Sequence, residues 1–215
     1  MEIYMQNLYF EIENLRYRPE VVQKIIDTKS KTVLDVGGSW NTYLKDYVTH
    51  TFDLFDPNIP GIHWFKGNLN SYEGWKPIFD YVEKNGKFDF VNCTHVLEDI
   101  SYPEAALRYM PLVAKRGFIA VPSKYWELQR RDLLRGGHHH RWIYDNRNDV
   151  LTMWPKINLI EFMIPYDEFQ PQIDLHANKE LRMFWEDTID YKIINDDYLG
   201  PTFQDVIRFY HDLVV

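Results

Sequence analysis

Cysteine occurs once in this chain, at Cys93, so no disulfide framework can form and a reducing compartment is expected. A basic, apolar leader is missing as well. The N-terminus, MEIYMQNLYFEIENLRYRP, carries Glu2, Glu11 and Glu13 in place of a positively charged start. No apolar run approaches the roughly 20 residues that span a bilayer, so no membrane span is expected and the location is read as cytoplasmic. Excess positive charge is absent: the formal net charge is −8, which argues against nucleic acid as the main partner. There is no internal repeat, low-complexity tract or linker. What remains is an ordinary globular composition. Hydrophobic residues make up 45% of 215, enough to bury a core without disulfide or metal staples.

The charge is unevenly placed. Residues 115–147 hold Lys115, Arg116, Lys124, Arg130, Arg131, Arg135, Arg141 and Arg147 against Glu127, Asp132 and Asp145, a local +5 that leaves −13 for the rest. Such an island reads either as a solvated helix face or as a surface for an anionic or polyhydroxylated ligand.

Apolar periodicity alternates between strand and helix. Residues 20–29 place Val21, Val22, Ile25 and Ile26 on one helical face. KTVLDVGG is a buried strand ending in glycines, and 50–57 and 62–67 are a second and third strand. Trp75, Ile78, Phe79 and Val82 then mark a helix that stops at Gly86. Residues 88–95 form a fourth strand. Pro103 opens the next helix, which Pro111 disturbs, and 117–123 form a fifth strand. A basic helix is expected over 124–135. Strand-like segments at 157–164 and 181–195 are expected to complete one sheet edge. The expectation is a single α/β domain over 1–215, Rossmann-like, with a mainly parallel seven-stranded sheet flanked by helices. It divides into a helical cap (1–30), a cofactor-binding core (31–123) and an acceptor-side part (124–215).

The first strand ends VLDVGGSWN. A dinucleotide fingerprint needs Gly-x-Gly-x-x-Gly, and only Gly37 and Gly38 are present. Asp35 precedes them at the strand end, where a carboxylate repels a pyrophosphate and suits a cationic amino-acid group. Asp56 follows 21 residues later, read as the end of the second strand, where an acid accepts both ribose hydroxyls. That pair fits S-adenosylmethionine (SAM) better than NAD.

At these residues the chain resembles the class I SAM-dependent methyltransferases, over roughly residues 31 to 123. VLDVGGSWN is similar to their first motif, E/D-x-G-x-G-x-G, and FDLFDPN to their acidic second strand. KFDFVNCTHVLEDISYPEAALRYMPLVAKRGFIAVPS is similar to their fourth strand, helix and fifth strand, with THVLEDI like their S-H-V-L-E-H turn. Ser39 and Asn41 stand where the second and third glycines fall, and the adenine-contacting acid is replaced by Asn68 or Asn70. The resemblance implies SAM as cofactor and S-adenosylhomocysteine as product. It places Asp35, Gly37 and Gly38 on the methionine moiety, Asp56 on the ribose and Asn68 on the adenine. Thr94 and His95 would then rim the sulfonium pocket. The Asn/Asp-Pro-Pro-Tyr/Phe turn of nucleic-acid N-methylation is absent, since that position reads CTHV.

GGHHHRW (136–142) follows the fifth strand, on the acceptor side. Three readings stand. His139 or His140 is a general base or orients the acceptor, with His95 the next candidate. Alternatively, two histidines join Glu98 or Asp99 around a divalent cation, although adjacent histidines diverge in extended chain. Alternatively, the histidines are structural and pair with Asp145 or backbone. Lys124, His138, Arg141 and Trp142 are candidate acceptor contacts. SKYWELQRRDLLRGGHHHRWIYD and FWEDTIDYKIINDDYLGP also look like methyltransferase-like proteins of glycan synthesis, which implies a glycan or small-molecule acceptor. The leading expectation is O-methylation of a sugar-like hydroxyl. N- or C-methylation, or a non-catalytic partner subunit, are the alternatives.

Overall fold

Short runs of apolar residues, each too brief for a helix, build the central sheet. The computed structural model describes residues 18–38, 43–131, 133–163, 166–167, 179–196 and 198–214. The strands are β1 (Val33–Val36), β2 (His50–Asp53), β3 (His63–Lys66), β4 (Phe90–Thr94) and β5 (Arg116–Pro122), followed much later by β10 (Glu180–Glu186). Their order in the sheet is β10-β5-β4-β1-β2-β3. The first five in sequence pair in parallel, and β10 runs antiparallel to β5. Every residue of β1 is buried, as expected for a strand covered on both faces.

Alternation assigns the two faces. Leu34, Val36, Val91, Cys93, Ile119 and Val121 share a core with Trp75 and Ile78 of α2 (Tyr72–Asn85) and with Ala106, Leu107 and Met110 of α3 (Pro103–Val113). Val33, Phe90, Phe118 and Ala120 point the other way, against Val21 and Ile25 of α1 (Pro19–Asp27). Helix starts follow local chemistry. Pro19 and Pro103 occupy first-turn positions, and the Ser71 side chain caps α2 by accepting from Gly74 N at 3.2 Å. Pro111 does not break α3, which continues to Val113.

After β5 the structure departs from the sequence expectation. The helix expected over 124–135 lasts only from Lys124 to Leu128 (α4). A small hairpin, β6 (Arg130–Arg131) with β7 (Leu134–Arg135), replaces the rest. Arg135 is the cause. Its guanidinium is fully buried and donates to the carbonyls of Leu128, Ile160 and Met163 at 2.7–3.0 Å, closing the helix end. The described part of the expected 157–164 segment, residues 157–163, forms no strand. A 3₁₀ turn spans Asn158–Phe162 there. The main sheet therefore has six strands among the described residues, where seven were expected. The remaining strands, β8 (Trp142–Arg147), β9 (Val150–Pro155) and β11 (Tyr191–Ile193), form a separate sheet in the order β11-β9-β8. Trp142, Tyr144, Leu151 and Met153 of that sheet join the main core. Ile143 and Trp154 face a second cluster containing Val206, Tyr210 and Leu213 of α5 (Phe203–Val214).

Candidate active site

The strand order reverses between β1 and β4, and ligands of such sheets bind outside the strand carboxyl ends at that point. Asp35 lies there, 4% exposed. One of its oxygens accepts from Asn92 Nδ2 at 2.7 Å, and Asn92 in turn accepts from the Tyr43 hydroxyl at 2.8 Å. Gly37 follows with φ +71°, which favours glycine, and its N–H donates to Phe52 O at 2.8 Å. A Cβ on Gly37 would lie 2.2 Å from Val96, and one on Gly38 2.5 Å from Thr51 Oγ1. Both glycines are therefore required by close approach. The Thr51 hydroxyl is buried without a hydrogen-bond partner. Ser39 and Asn41 lie outside the described residues.

The carboxylate that closes β2 is Asp53, whereas Asp56 lies three residues beyond in exposed loop. The second strand is thus shorter than the expected 50–57. Each acid folds its own turn: Asp53 accepts from Phe55 N at 2.9 Å and Asp56 from Asn58 N at 2.8 Å. Asn68 is exposed just past β3 and accepts from both nitrogens of Asn70.

Thr94 ends β4, and His95 follows with φ +54°. Both ring nitrogens of His95 are engaged, Nδ1 with Glu98 at 3.1 Å and Nε2 with Glu180 at 2.6 Å. Burial pulls its pKa down, but the hydrogen bonds to Glu180 and Glu98 outweigh that and raise it to about 9. Glu180 is buried, which pushes its pKa up, yet hydrogen bonds from His95 and Arg18 hold it at about 2. Both ring nitrogens of His95 are thus turned to carboxylates.

The histidine segment is fixed to the exit of β4. Arg141 N donates to Glu98 O at 2.6 Å. A tight turn, with His140 N donating to Gly137 O at 3.2 Å, folds the two rings together, so that the centroids of His139 and His140 lie 4.6 Å apart. The divergence expected of extended chain does not apply. His140 is buried and its Nδ1 donates to Glu127, itself fully buried. Lys156 Nζ holds the other Glu127 oxygen at 2.8 Å and donates to the carbonyls of Arg135 and Gly137. The two glycines make this possible. A Cβ on Gly136 would meet Glu127 Oε2 at 2.4 Å, and one on Gly137 the His140 ring at 2.4 Å. Trp126 stacks on the far side of His140, with centroids 5.7 Å apart. His139 is 74% exposed, with Nε2 3.4 Å from Asp99 Oδ1, and His140 Nε2 lies 3.7 Å from the same oxygen. Burial and the charge of Glu98 raise the pKa of Asp99, against the pull of the two histidines. Burial lowers that of His140, but the hydrogen bond to Glu127 and the neighbouring carboxylate charges outweigh it, for a net increase.

Lys124 is buried and paired with Asp145 at 3.0 Å. Asp145 also takes Arg147, so it is not the partner of the histidines. Trp142 is buried, with its N–H donated to Ile100 O at 2.9 Å. The basic island is largely neutralised, since Lys115, Arg116, Arg130 and Arg135 pair with Asp89, Glu186 and Asp167. Arg141 remains exposed. His138 is exposed on a cleft of about 430 Å³ that His140, Leu134, Lys156 and Phe162 also line. Glu127 and Glu180 had no sequence signal, because each reaches its histidine from a distant element.

No protein-family profile matches the chain, and no curated protein matches it. Several solved structures match parts of the chain. The methyltransferase domain of bacterial CtHen1-C is 14% identical over 56% of this chain and 71% of that one, with a TM-score of 0.40. The N-terminal domain of EvdMO1, solved with S-adenosylhomocysteine (SAH) bound, is 11% identical over 60% of this chain and 58% of its own, with a TM-score of 0.39. MycE, a methyltransferase of mycinamycin biosynthesis solved with Mg and SAH, is 10% identical over 94% of this chain and 54% of its own, with a TM-score of 0.40.

Proposed function

We propose that the protein is a SAM-dependent methyltransferase acting on a hydroxyl of a neutral, polyhydroxylated acceptor such as a sugar. One observation carries this reading. The Arg141 N to Glu98 O bond ties the histidine turn to the exit of β4, beside the strand that bears Asp35, Gly37 and Gly38. In this reading the SAM-holding turn and the histidine turn lie at the carboxyl ends of neighbouring strands.

The residues at the switch point fit the amino-acid end of SAM. Asp35 offers a carboxylate for an ammonium, the glycine turn leaves room for close approach, and the unpaired Thr51 hydroxyl lies behind Gly38. When bound, SAM supplies a methyl group on a sulfonium leaving group. An acid past β2 holds the ribose, and Asn68 the adenine edge. On the acceptor side, His139 or His140 takes the hydroxyl proton or steers the oxygen toward the methyl carbon. The cleft beside His140 has the size of a small-molecule site. Its charged residues are engaged, Lys156 by Glu127 and Glu161 by Arg135 N, while Phe162 is an exposed aromatic wall. Those features favour a neutral ring over an anion.

The test is SAH release on incubation with SAM and a panel of neutral sugars, sugar phosphates, catechols and amines. The reading expects turnover with a hydroxylated neutral acceptor. Methylation of amines alone would contradict it.

A further inference from the structure

We propose that Asp99, His139 and His140 form a binding site for one divalent transition-metal ion. The inference deepens the acceptor-orienting form of the proposed function, in which the histidines hold the acceptor oxygen through the ion and do not themselves take its proton, but ion binding itself does not depend on that reading.

Geometry is the first argument. One carboxylate oxygen of Asp99 and one nitrogen from each of the two histidines lie within 4.8 Å of one another. The separations from Asp99 Oδ1 are 3.4 Å to His139 Nε2 and 3.7 Å to His140 Nε2. Ligands bonded at about 2.0–2.1 Å around a tetrahedral ion sit roughly 3.3 Å apart, so the two separations from Asp99 are within a few tenths of an ångström of that spacing, and the two histidine nitrogens, within 4.8 Å of each other, can be drawn in by rotation of the exposed His139 side chain.

Orientation is the second. A metal-bound histidine usually donates its other N–H to a carboxylate, which fixes the tautomer and aims the free lone pair. His140 has this arrangement. Nδ1 donates to Glu127, so Nε2 is left as the donor toward Asp99. Glu127 is locked by Lys156, and Gly136 and Gly137 exist without side chains where Glu127 and the His140 ring pass. A surface accident would not need this support.

Charge is the third. Glu98 neighbours Asp99, and its Oε2 is buried with no hydrogen-bond partner. The Tyr144 hydroxyl, also buried, has none either. The cation at Lys156 is committed to Glu127, and His95 is shared between Glu98 and Glu180. Negative potential is therefore left at Asp99. Two imidazoles with one carboxylate suit zinc, iron, cobalt or manganese; magnesium and calcium prefer all-oxygen shells. An acceptor hydroxyl on such an ion loses its proton more readily, as bound water does.

The test is titration of the full chain with Co²⁺, followed by visible ligand-field absorption, with displacement by Zn²⁺. The same samples are titrated with SAH and melted. One Co²⁺ per chain, displaced by Zn²⁺ but not by Mg²⁺, is expected. Glu127→Gln should weaken affinity about 10- to 100-fold, the usual effect of losing an outer-shell partner. His139→Ala and Asp99→Asn should weaken it further, and both side chains are exposed enough for the fold to tolerate the change. No uptake of Co²⁺ or Zn²⁺, or uptake unchanged in His139→Ala and Asp99→Asn, overturns the proposal. SAH binding without metal uptake overturns this proposal alone. Metal uptake lost in those variants, without SAH binding, upholds it and removes the methyltransferase reading.

Discussion

His140 donates its Nδ1 proton to Glu127, a carboxylate that is fully buried and held from its other side by Lys156. The pair joins two segments thirteen positions apart in sequence and is possible only because Gly136 and Gly137 leave it room. The histidine turn is therefore a built feature of the fold.

Gly137→Ala tests that packing. The new methyl would lie 2.4 Å from the His140 ring, so the ring or the turn must move. Overpacking of this kind costs about 1–3 kcal/mol. Urea denaturation should show the loss, while calorimetry should find SAH affinity nearly unchanged. An unperturbed midpoint would mean the turn is soft.

The acid that ends β2 and the acid in the loop beyond it can be separated. Asp53 closes the strand and Asp56 does not. Asp53→Ala should weaken SAH binding by about 1.5–3 kcal/mol, the worth of hydrogen bonds to a charged group, and Asp56→Ala by clearly less. The reverse ranking would return the ribose to Asp56.

The sequence exposed the sheet because β1, β4 and β5 are short apolar runs bounded by turns, and a parallel sheet buries such strands on both faces. It exposed the glycine turn after Asp35 for the same local reason. It failed where tertiary partners decide. Arg130 and Arg135 read as a solvated basic helix, yet Arg135 is buried against three carbonyls and ends α4 after one turn. The β2 boundary was misplaced because Leu54 and Phe55 look like strand, although both are exposed. The histidines were visible. Glu127 and Lys156, which orient them, were not, since no spacing rule links residues from different elements.

Arg135 and Arg141 give opposite expectations. Leaving buried acceptors without a partner typically costs about 1–3 kcal/mol, so Arg135→Gln, which strips donors from the Leu128, Ile160 and Met163 carbonyls, should lower the melting temperature clearly. Arg141→Glu changes an exposed charge beside the histidine turn. It should raise the acceptor KM while leaving stability and SAH affinity nearly unchanged. Equal loss of both affinities would assign Arg141 to the fold.

His95 and Glu180 impose a pH dependence with a definite sign. The folded pKa of His95 is raised from 6.5 to about 9, so its contribution is full below about 6.5 and lost as pH rises through 9. Glu180 is depressed from 4.5 to about 2, so its contribution is present above 4.5 and lost as pH falls through 2. The stability advantage of the wild type over His95→Gln should therefore shrink between pH 6.5 and 9, read by urea denaturation across that window. A constant difference would show that His95 does not carry the charge.

The central claim is that the Asp35–Gly37–Gly38 turn binds SAM and its product. Calorimetric titration of the wild-type chain with SAH, and separately with NAD, measures it most directly. The account predicts one SAH site, weakened by Gly38→Ala because a methyl there collides with Thr51 and Asp35, and no comparable heat from NAD. Tight NAD binding with no response to SAH would contradict it.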